Sequence, residues 1–339
     1  MADNSTATVQ LGVNGPVVGV QGLGCMGMSE FYGPADEAES RAVLEAALEA
    51  GVTLFDTADM YGYGANEEFL APFVAAHRDE ITVATKFGIV RSDDPSYRGF
   101  RGDREYVRQC VEGSLRRLGV DVIDLYYMHR RDPDTPIEET VGAMAELVTE
   151  GKVKHLGLSE VTGDELRAAA AVHQIAAIQS EWSLFSRDVE ARVVPAAVVS
   201  GTAFVPYSPL GRGFIAGRFT DASKELDQTD FRGRHARFTG DNVQVNAELR
   251  ETIREVADAR GATLAQVALA WLQQRADVHG LSAVVPIPGT RRRNRLAENV
   301  AATRLRLTAD ELAVLEPIAD KVAGRRYPAG GAGSSQDRE

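Results

Sequence analysis

The strongest constraint on this chain is an alternation that recurs along most of its length: a short apolar run rich in β-branched residues, a turn, then a longer amphipathic stretch. That punctuation spells strand followed by helix. Residues 18–23 precede 37–50, 52–55 precede 66–77, and 81–85 precede 103–118. The pairing continues with 122–128 before 136–150, 153–158 before 163–172, and 176–179 before 188–199. Residues 203–205 supply a seventh strand, 245–260 and 263–275 are helical, 283–286 supply an eighth strand, and 293–303 follow as helix. Eight strands alternating with helices is the count of a closed (β/α)8 barrel, a TIM barrel.

Strands covered on both faces read as continuous apolar runs, and Val52-Thr-Leu-Phe and Val122-Ile-Asp-Leu-Tyr-Tyr-Met come near that description, which implies a parallel sheet. An open doubly wound sheet is the rival, but no compact GxGxxG opens the first helix; Gly22 and Gly24 are only an echo of one. Ahead of the first strand, Asn14-Gly15 sits between two short apolar runs and signals a β-hairpin able to close the barrel floor. With 339 residues and no linker-like shift in composition, residues 9–320 read as one barrel domain. The Gly- and Arg-rich stretch 211–242 reads as a large loop, a candidate for closing over a ligand. Residues 329–339, AGGAGSSQDRE, have nothing to bury and are expected to form a disordered tail.

Composition narrows the partners. With 37 basic and 49 acidic residues the net charge is −12, which repels polyanions and argues against nucleic acid or an anionic membrane surface. Cys25 and Cys110 stand apart from any CxxC or Cys/His grouping, so neither a disulfide framework nor a metal site is expected. No apolar run is long enough to span a bilayer and the first residues lack a secretion signal, so a cytoplasmic protein is expected.

In such a barrel the chemistry gathers at the C-terminal ends of the strands. Asp56, Lys86 and His129 each directly follow an apolar run, and Tyr61 lies in the turn beyond Asp56. Taken singly, each has a structural alternative: a helix cap for Asp56, a solvated rim for Lys86, one tyrosine among several for Tyr61, a loop histidine for His129. Taken together, they suit proton delivery to a carbonyl. An ammonium near a phenol lowers its pKa, Asp56 would hold Lys86 charged, and His129 would donate to an oxygen gaining negative charge.

Gly22-Leu-Gly-Cys-Met-Gly, Phe55-Asp56-Thr-Ala-Asp-Met-Tyr61-Gly, Thr85-Lys86-Phe-Gly and Asp124-Leu-Tyr-Tyr-Met-His129 fall in the order and spacing of the aldo-keto reductases, and over 11–320 the chain resembles that family. The resemblance implies a catalytic tetrad of Asp56, Tyr61, Lys86 and His129, with Tyr61 the general acid. Further stretches resemble the family's cofactor segments and imply NADPH. Gly24 and Met26 would border it, Ser159 and Gln179 would bond the nicotinamide carboxamide, and Tyr207 would stack on the ring. Ser208, Leu210, Gly211, Arg212 and Gly213 would embrace the pyrophosphate. Pro288, Gly289, Thr290, Arg291 and Arg295 would meet the adenosine 2′-phosphate, and Glu298 and Asn299 the adenine. Cations at a helix start oppose its dipole unless an anion sits there, which favours the phosphate reading of the arginines. Glu160 and Gly289 depart from the family's commoner Asn and Lys, but the wording around them resembles the perakine reductase and auxin-induced-protein-like branch.

The expectation is thus a barrel that reduces aldehydes or ketones to alcohols with NADPH, acting on a small carbonyl substrate. Met28, Phe31, Tyr32, Phe87, Arg130 and Trp182 are expected to line the substrate pocket. Two other readings stay open: an NADPH-sensing regulatory barrel with little turnover, and a lyase in which Lys86 forms a Schiff base.

Overall fold

The computed structural model describes residues 7–92, 99–327 and 333–339. Its strands are β1 (Thr8–Gln10), β2 (Val17–Gly19), β3 (Leu23–Gly24), β4 (Leu54–Asp56), β5 (Thr82–Phe87), β6 (Ile89–Val90), β7 (Gly99–Phe100), β8 (Ile123–Met128), β9 (Val153–Ser159), β10 (Ile175–Gln179) and β11 (Ala203–Phe204). Seven of them form one parallel sheet in the order β11-β10-β9-β8-β5-β4-β3. The expected eighth run closes the circle without forming a full strand. Val284 bridges Phe204 in parallel, Val285 N donates to Phe204 O (2.9 Å), and on the other side Gly22 N donates to Pro286 O (3.0 Å).

The pleat sorts every strand into two faces. Leu54, Ala84, Leu125, Tyr127, Ala177, Ala203, Val205 and Val285 pack together inside the barrel. Their neighbours Tyr126, Met128, Leu156, Leu158, Ile178 and Phe204 point outward to the helices in the largest apolar cluster. The same alternation carries Asp56, Lys86, His129, Ser159, Gln179 and Tyr207 onto the inner face at the strand ends. The helices between strands start on side-chain caps: Asp36 accepts from Glu39 N, Asp103 from Tyr106 N, and Thr162 forms a capping box with Glu165.

Three expectations need correction. Residues 18–23 are not one strand: β2 pairs antiparallel with β1 as the hairpin, and only β3 enters the barrel. The hairpin turn, with Asn14 at φ 60°, does close the floor. Val13 N donates to Gly201 O (3.0 Å), and a β-carbon on Gly12 would lie 2.5 Å from Ala176 O, so only glycine fits. Stretch 211–242 folds into short helical turns at Gly211–Gly213, Ala222–Glu225, Phe231–Arg234 and Ala236–Phe238. Of the 329–339 tail, residues 329–332 lie outside the described residues, while 333–339 pack back on the barrel with Ser335 buried. Hydrogen bonds to a buried carboxylate, not apolar burial, hold that segment, so its composition did not announce it. Among the described residues no helix is long and apolar enough to cross a membrane.

Candidate active site

Asp56 and Lys86 meet inside the mouth of the barrel. Lys86 Nζ donates to Asp56 Oδ1 (2.5 Å) and to Thr57 O (2.7 Å), and Gln179 Nε2 donates to Asp56 Oδ2 (2.8 Å). Lys86 is fully buried, so its charge depends on that partner. Burial drives its pKa down and the Asp56 charge opposes the shift.

Tyr61 opens the turn Tyr61–Gly64, where Gly62, Tyr63 and Gly64 all take positive φ. That tight turn is tied down by Glu30, whose Oε2 accepts from Gly62 N (2.8 Å) and from Arg91 Nη1 (2.7 Å). Nothing in the local pattern around Glu30 or Arg91 marks either as a support for the site; their pairing is long-range. The Tyr61 ring meets His129 edge to face, with centroids 5.8 Å apart, and Lys86 Nζ lies 5.3 Å from its centroid.

The Tyr61 phenol is pushed well above its ordinary pKa, first by burial and then by Asp56, with Arg130 opposing. This reverses the expected lowering by Lys86. The physical reason is first that the phenol is buried, and then that Asp56, 2.5 Å from the ammonium, takes up the field of Lys86. His129 is pushed well below its ordinary value by burial, then by Arg130 and Lys86, and so is a neutral imidazole. Its Nδ1 is buried without a hydrogen-bond partner among the described residues. Arg130 Nη1 donates to His129 O (2.7 Å) and to Ser159 Oγ (3.2 Å).

A cavity of about 420 Å³ runs from Asp56, Tyr61 and His129 past Ser159, Gln179 and Tyr207 to Arg291, Arg295 and Asn299. Gly24, Met26, Ser208, Leu210, Arg212, Gly213, Pro288, Gly289 and Thr290 also line it, as do Phe31, Tyr32 and Arg130. A β-carbon at Gly24 would sit 3.0 Å from Ile287 O and one at Gly289 3.1 Å from Gly24 O, so these glycines let two loops touch at the cavity wall. Lys86 lies behind the lining, bonded to Asp56 and beside the Tyr61 ring.

Other expected residues are not in the wall. Phe87 faces outward and stacks on Tyr126 (5.0 Å), because on β5 it has the opposite parity to Lys86. Trp182 is buried against Phe204 (4.7 Å) with its Nε1 donating to Glu190 (2.9 Å). Met28 packs in the apolar cluster under the first helices. Glu298 is ion-paired with Arg218 instead of facing the cavity. Gly211 shapes the turn with φ 54° and does not line the cavity. Arg212 does line it, but its charge is committed to Glu181 (2.7 Å) and its Nη1 to His235 (3.0 Å). Arg291 donates to the carbonyls of Tyr32 (3.0 Å), Gly33 (3.0 Å) and Pro34 (2.7 Å). Arg295 is half-buried, its pKa pushed down by burial and by Arg218 and Arg292. Arg218, Arg232, Phe231 and Tyr327 line the cavity unforeseen: the first three come from the 211–242 loop and the last from beyond the final helix. Among the described residues no group of three or more His, Cys, Asp or Glu side chains is placed to hold a metal.

Residues 22–320 match the model of the aldo/keto reductase family. The chain belongs to that family. It is 43% identical over 325 residues to probable aldo-keto reductase 1 of Glycine max, covering 94% of this chain and 91% of that one. Among solved structures it is similar to a glycerol dehydrogenase from Gluconobacter oxydans (TM-score 0.81, 25% identity, 97% and 98% of the two chains). It is also similar to the holo form of an aldo-keto reductase from Bacillus halodurans (TM-score 0.76, 25% identity, 98% and 100%). As an aldo/keto reductase the chain is an oxidoreductase of nicotinamide cofactors and small carbonyl compounds.

Proposed function

We propose that this aldo/keto reductase reduces aldehydes or ketones to alcohols with NADPH, and that Tyr61 supplies the proton. The observation that carries the reading is one cavity with Tyr61 and the neutral His129 at one end and a crowd of guanidinium groups at the other. The residues present fit a nicotinamide dinucleotide. Burial, then Arg218 and Arg292 beside it, disfavour the charge of Arg295, the condition an anionic phosphate relieves. Gly24 and Gly289 keep the wall thin where the two loops meet. Ser159, Gln179 and Tyr207 would hold the nicotinamide end, with Gln179 shared with Asp56. Thr290, Arg295 and Asn299 would hold the adenosine end.

What a bound nicotinamide dinucleotide supplies is a hydride for the carbonyl carbon. His129, uncharged, donates a hydrogen bond to the carbonyl oxygen and positions it beside Tyr61. Tyr61 is held protonated and releases its proton as negative charge grows on that oxygen. Arg130 is the cation that favours the phenolate left behind, while Lys86 and Asp56 act as a neutralised pair that fixes the floor of the site. The Schiff-base reading finds no support, since Lys86 Nζ is engaged by Asp56 and Thr57 and has no lone pair to offer while protonated. The similarity to a glycerol dehydrogenase supports an alcohol–carbonyl couple. A cytoplasmic setting is supported by Cys25 and Cys110, both free thiols.

The test follows loss of NADPH absorbance over a panel of aromatic and aliphatic aldehydes, for wild type and Tyr61→Phe, with NADH in parallel. The expected result is turnover preferring NADPH, and a fall in kcat of about 10²–10⁴-fold in Tyr61→Phe with NADPH affinity retained. Tyr61→Phe with wild-type kcat would remove Tyr61 as the acid. NADPH binding without reduction of any carbonyl would favour the sensing role instead.

A further inference from the structure

Glu160 follows Ser159 directly at the end of β9 and takes φ 52°, a left-handed conformation that a residue with a side chain holds only when its surroundings enforce it. Every polar atom of Glu160 is engaged. Its N–H donates to Gln179 O (3.0 Å), and its carbonyl accepts from Arg338 Nη2 (2.7 Å). The fully buried carboxylate takes two bonds from Arg326, Nη1 to Oε1 (2.8 Å) and Nη2 to Oε2 (2.9 Å). Ser335 adds two more to Oε2, from N (3.0 Å) and Oγ (3.1 Å). Glu181 N and the Tyr207 hydroxyl donate to Oε1 at 3.1 and 2.8 Å. The group therefore faces Arg326, Ser335 and Arg338 from the C-terminus, Tyr207 from beyond β11, and Glu181 from beyond β10; Arg130 and Asp188 are its further charged neighbours. Burial opposes its ionisation most strongly of any single influence, but Arg326, Arg130 and the Ser335 N–H together outweigh it and keep Glu160 a carboxylate.

The residues on either side of the nicotinamide end thus share one buried anion. Ser159 is its chain neighbour, Tyr207 is bonded to it, and the last residues of the chain hold it in place. Glu160 faces away from the cavity, which is why a Glu here need not contact the carboxamide at all.

We propose that Arg326 and Ser335 are positioning residues that set the affinity for the nicotinamide half of the cofactor, acting through Glu160 on Ser159 and Tyr207. This rests on the cofactor reading above. Without the C-terminal bonds the left-handed turn at Glu160 relaxes and Ser159 and Tyr207 lose their mutual spacing, while the adenosine end, lined by Arg295 and Asn299 at the other end of the cavity, is untouched.

The test titrates two ligands, NADPH and the same dinucleotide lacking its nicotinamide ring, against wild type, a chain ending at residue 332, Arg326→Gln and Arg326→Lys. Binding is read by fluorescence and calorimetry, with circular dichroism to show folding. The expected result is a rise in Kd for NADPH of about tenfold or more in the truncated chain and in Arg326→Gln. Affinity for the ring-less ligand should stay within about twofold, and Arg326→Lys should recover part of the loss. At saturating NADPH the truncated chain should keep its kcat, so the effect falls on binding. If Arg326→Gln does not fold, the truncated chain alone decides. Unchanged NADPH affinity there, or equal weakening of both ligands, overturns the proposal while leaving the reductase reading intact. Failure of wild type to bind NADPH removes both.

Discussion

Gly157 lies on the inner face of β9, and its missing side chain is filled by the ring of Tyr127 from β8. A β-carbon there would lie 2.4 Å from both Cδ1 and Cε1 of Tyr127 and 3.0 Å from Cγ. Carbon atoms pack at about 3.5–4.0 Å, so Gly157→Ala requires the ring to move by roughly 1 Å. Tyr127 is wholly buried and has no free side to move toward. It sits in the barrel interior with Leu125 and Ala84, and Lys86 Nζ is 5.9 Å from its ring. Overpacking of this kind costs about 1–3 kcal/mol, offset by the roughly 0.5–1 kcal/mol that replacing a strand glycine returns. Because the ring is wholly buried, the cost falls in the upper half of that range, and the net expectation is a loss of about 1–2 kcal/mol. At about 2–4 °C per kcal/mol for large domains, Tm falls by roughly 2–8 °C. Displacing the floor under Lys86 and Asp56 also misplaces the reacting groups, so kcat drops by up to about 10²-fold. The control is Gly142→Ala, in the helix Ile137–Thr149, where a β-carbon meets nothing within 4 Å; it should stabilise by about 0.5–1 kcal/mol. Thermal and urea unfolding with steady-state rates measure all of this. A Gly157→Ala protein with wild-type Tm and kcat would refute the packing argument.

Two further outcomes follow from the electrostatics. Because His129 is held neutral and Tyr61 protonated, kcat/KM for reduction should be flat from about pH 6.5 to about pH 9, and a limb centred near 6.5 would contradict the neutral imidazole. The linkage signs agree: below the ordinary histidine value the unfolded chain takes up a proton that His129 refuses, so this group's share of stability falls as pH falls. Above the ordinary tyrosine value the unfolded chain releases a proton that Tyr61 keeps, so stability falls as pH rises. Arg295→Ala should raise the Kd for NADPH by about tenfold or more and leave that for NADH nearly unchanged; equal losses for both would mean that Arg295 does not read the phosphate.

Strand ends carry their own information. The inward positions of Asp56, Lys86, His129, Ser159 and Gln179 were legible because a strand has a period of two and its C-terminal end opens onto the mouth. The misplacement of Phe87 shows the limit of reading by neighbourhood: one step from Lys86 in sequence is the opposite face of the sheet. Trp182 and Met28 failed for a related reason, since an aromatic or thioether beside a strand end serves the outer core as readily as the mouth. The partners of Arg212, Arg291 and Glu298 were beyond reach, because each is a contact between segments far apart in the chain.

What the sequence determined by itself is the alternation of strand and helix and the polar residues placed where each strand ends. These are local properties, set by periodicity and by which side chains a buried strand can carry. What only the tertiary structure decided is how charge is shared. Lys86 is neutralised by Asp56, the cation that opposes the rise in the Tyr61 pKa is Arg130, and the polar C-terminal residues are fixed by the buried Glu160. Electrostatic partnership in a low-dielectric interior depends on distances of a few ångströms between groups that the chain order leaves far apart, and only the closed barrel brings them together.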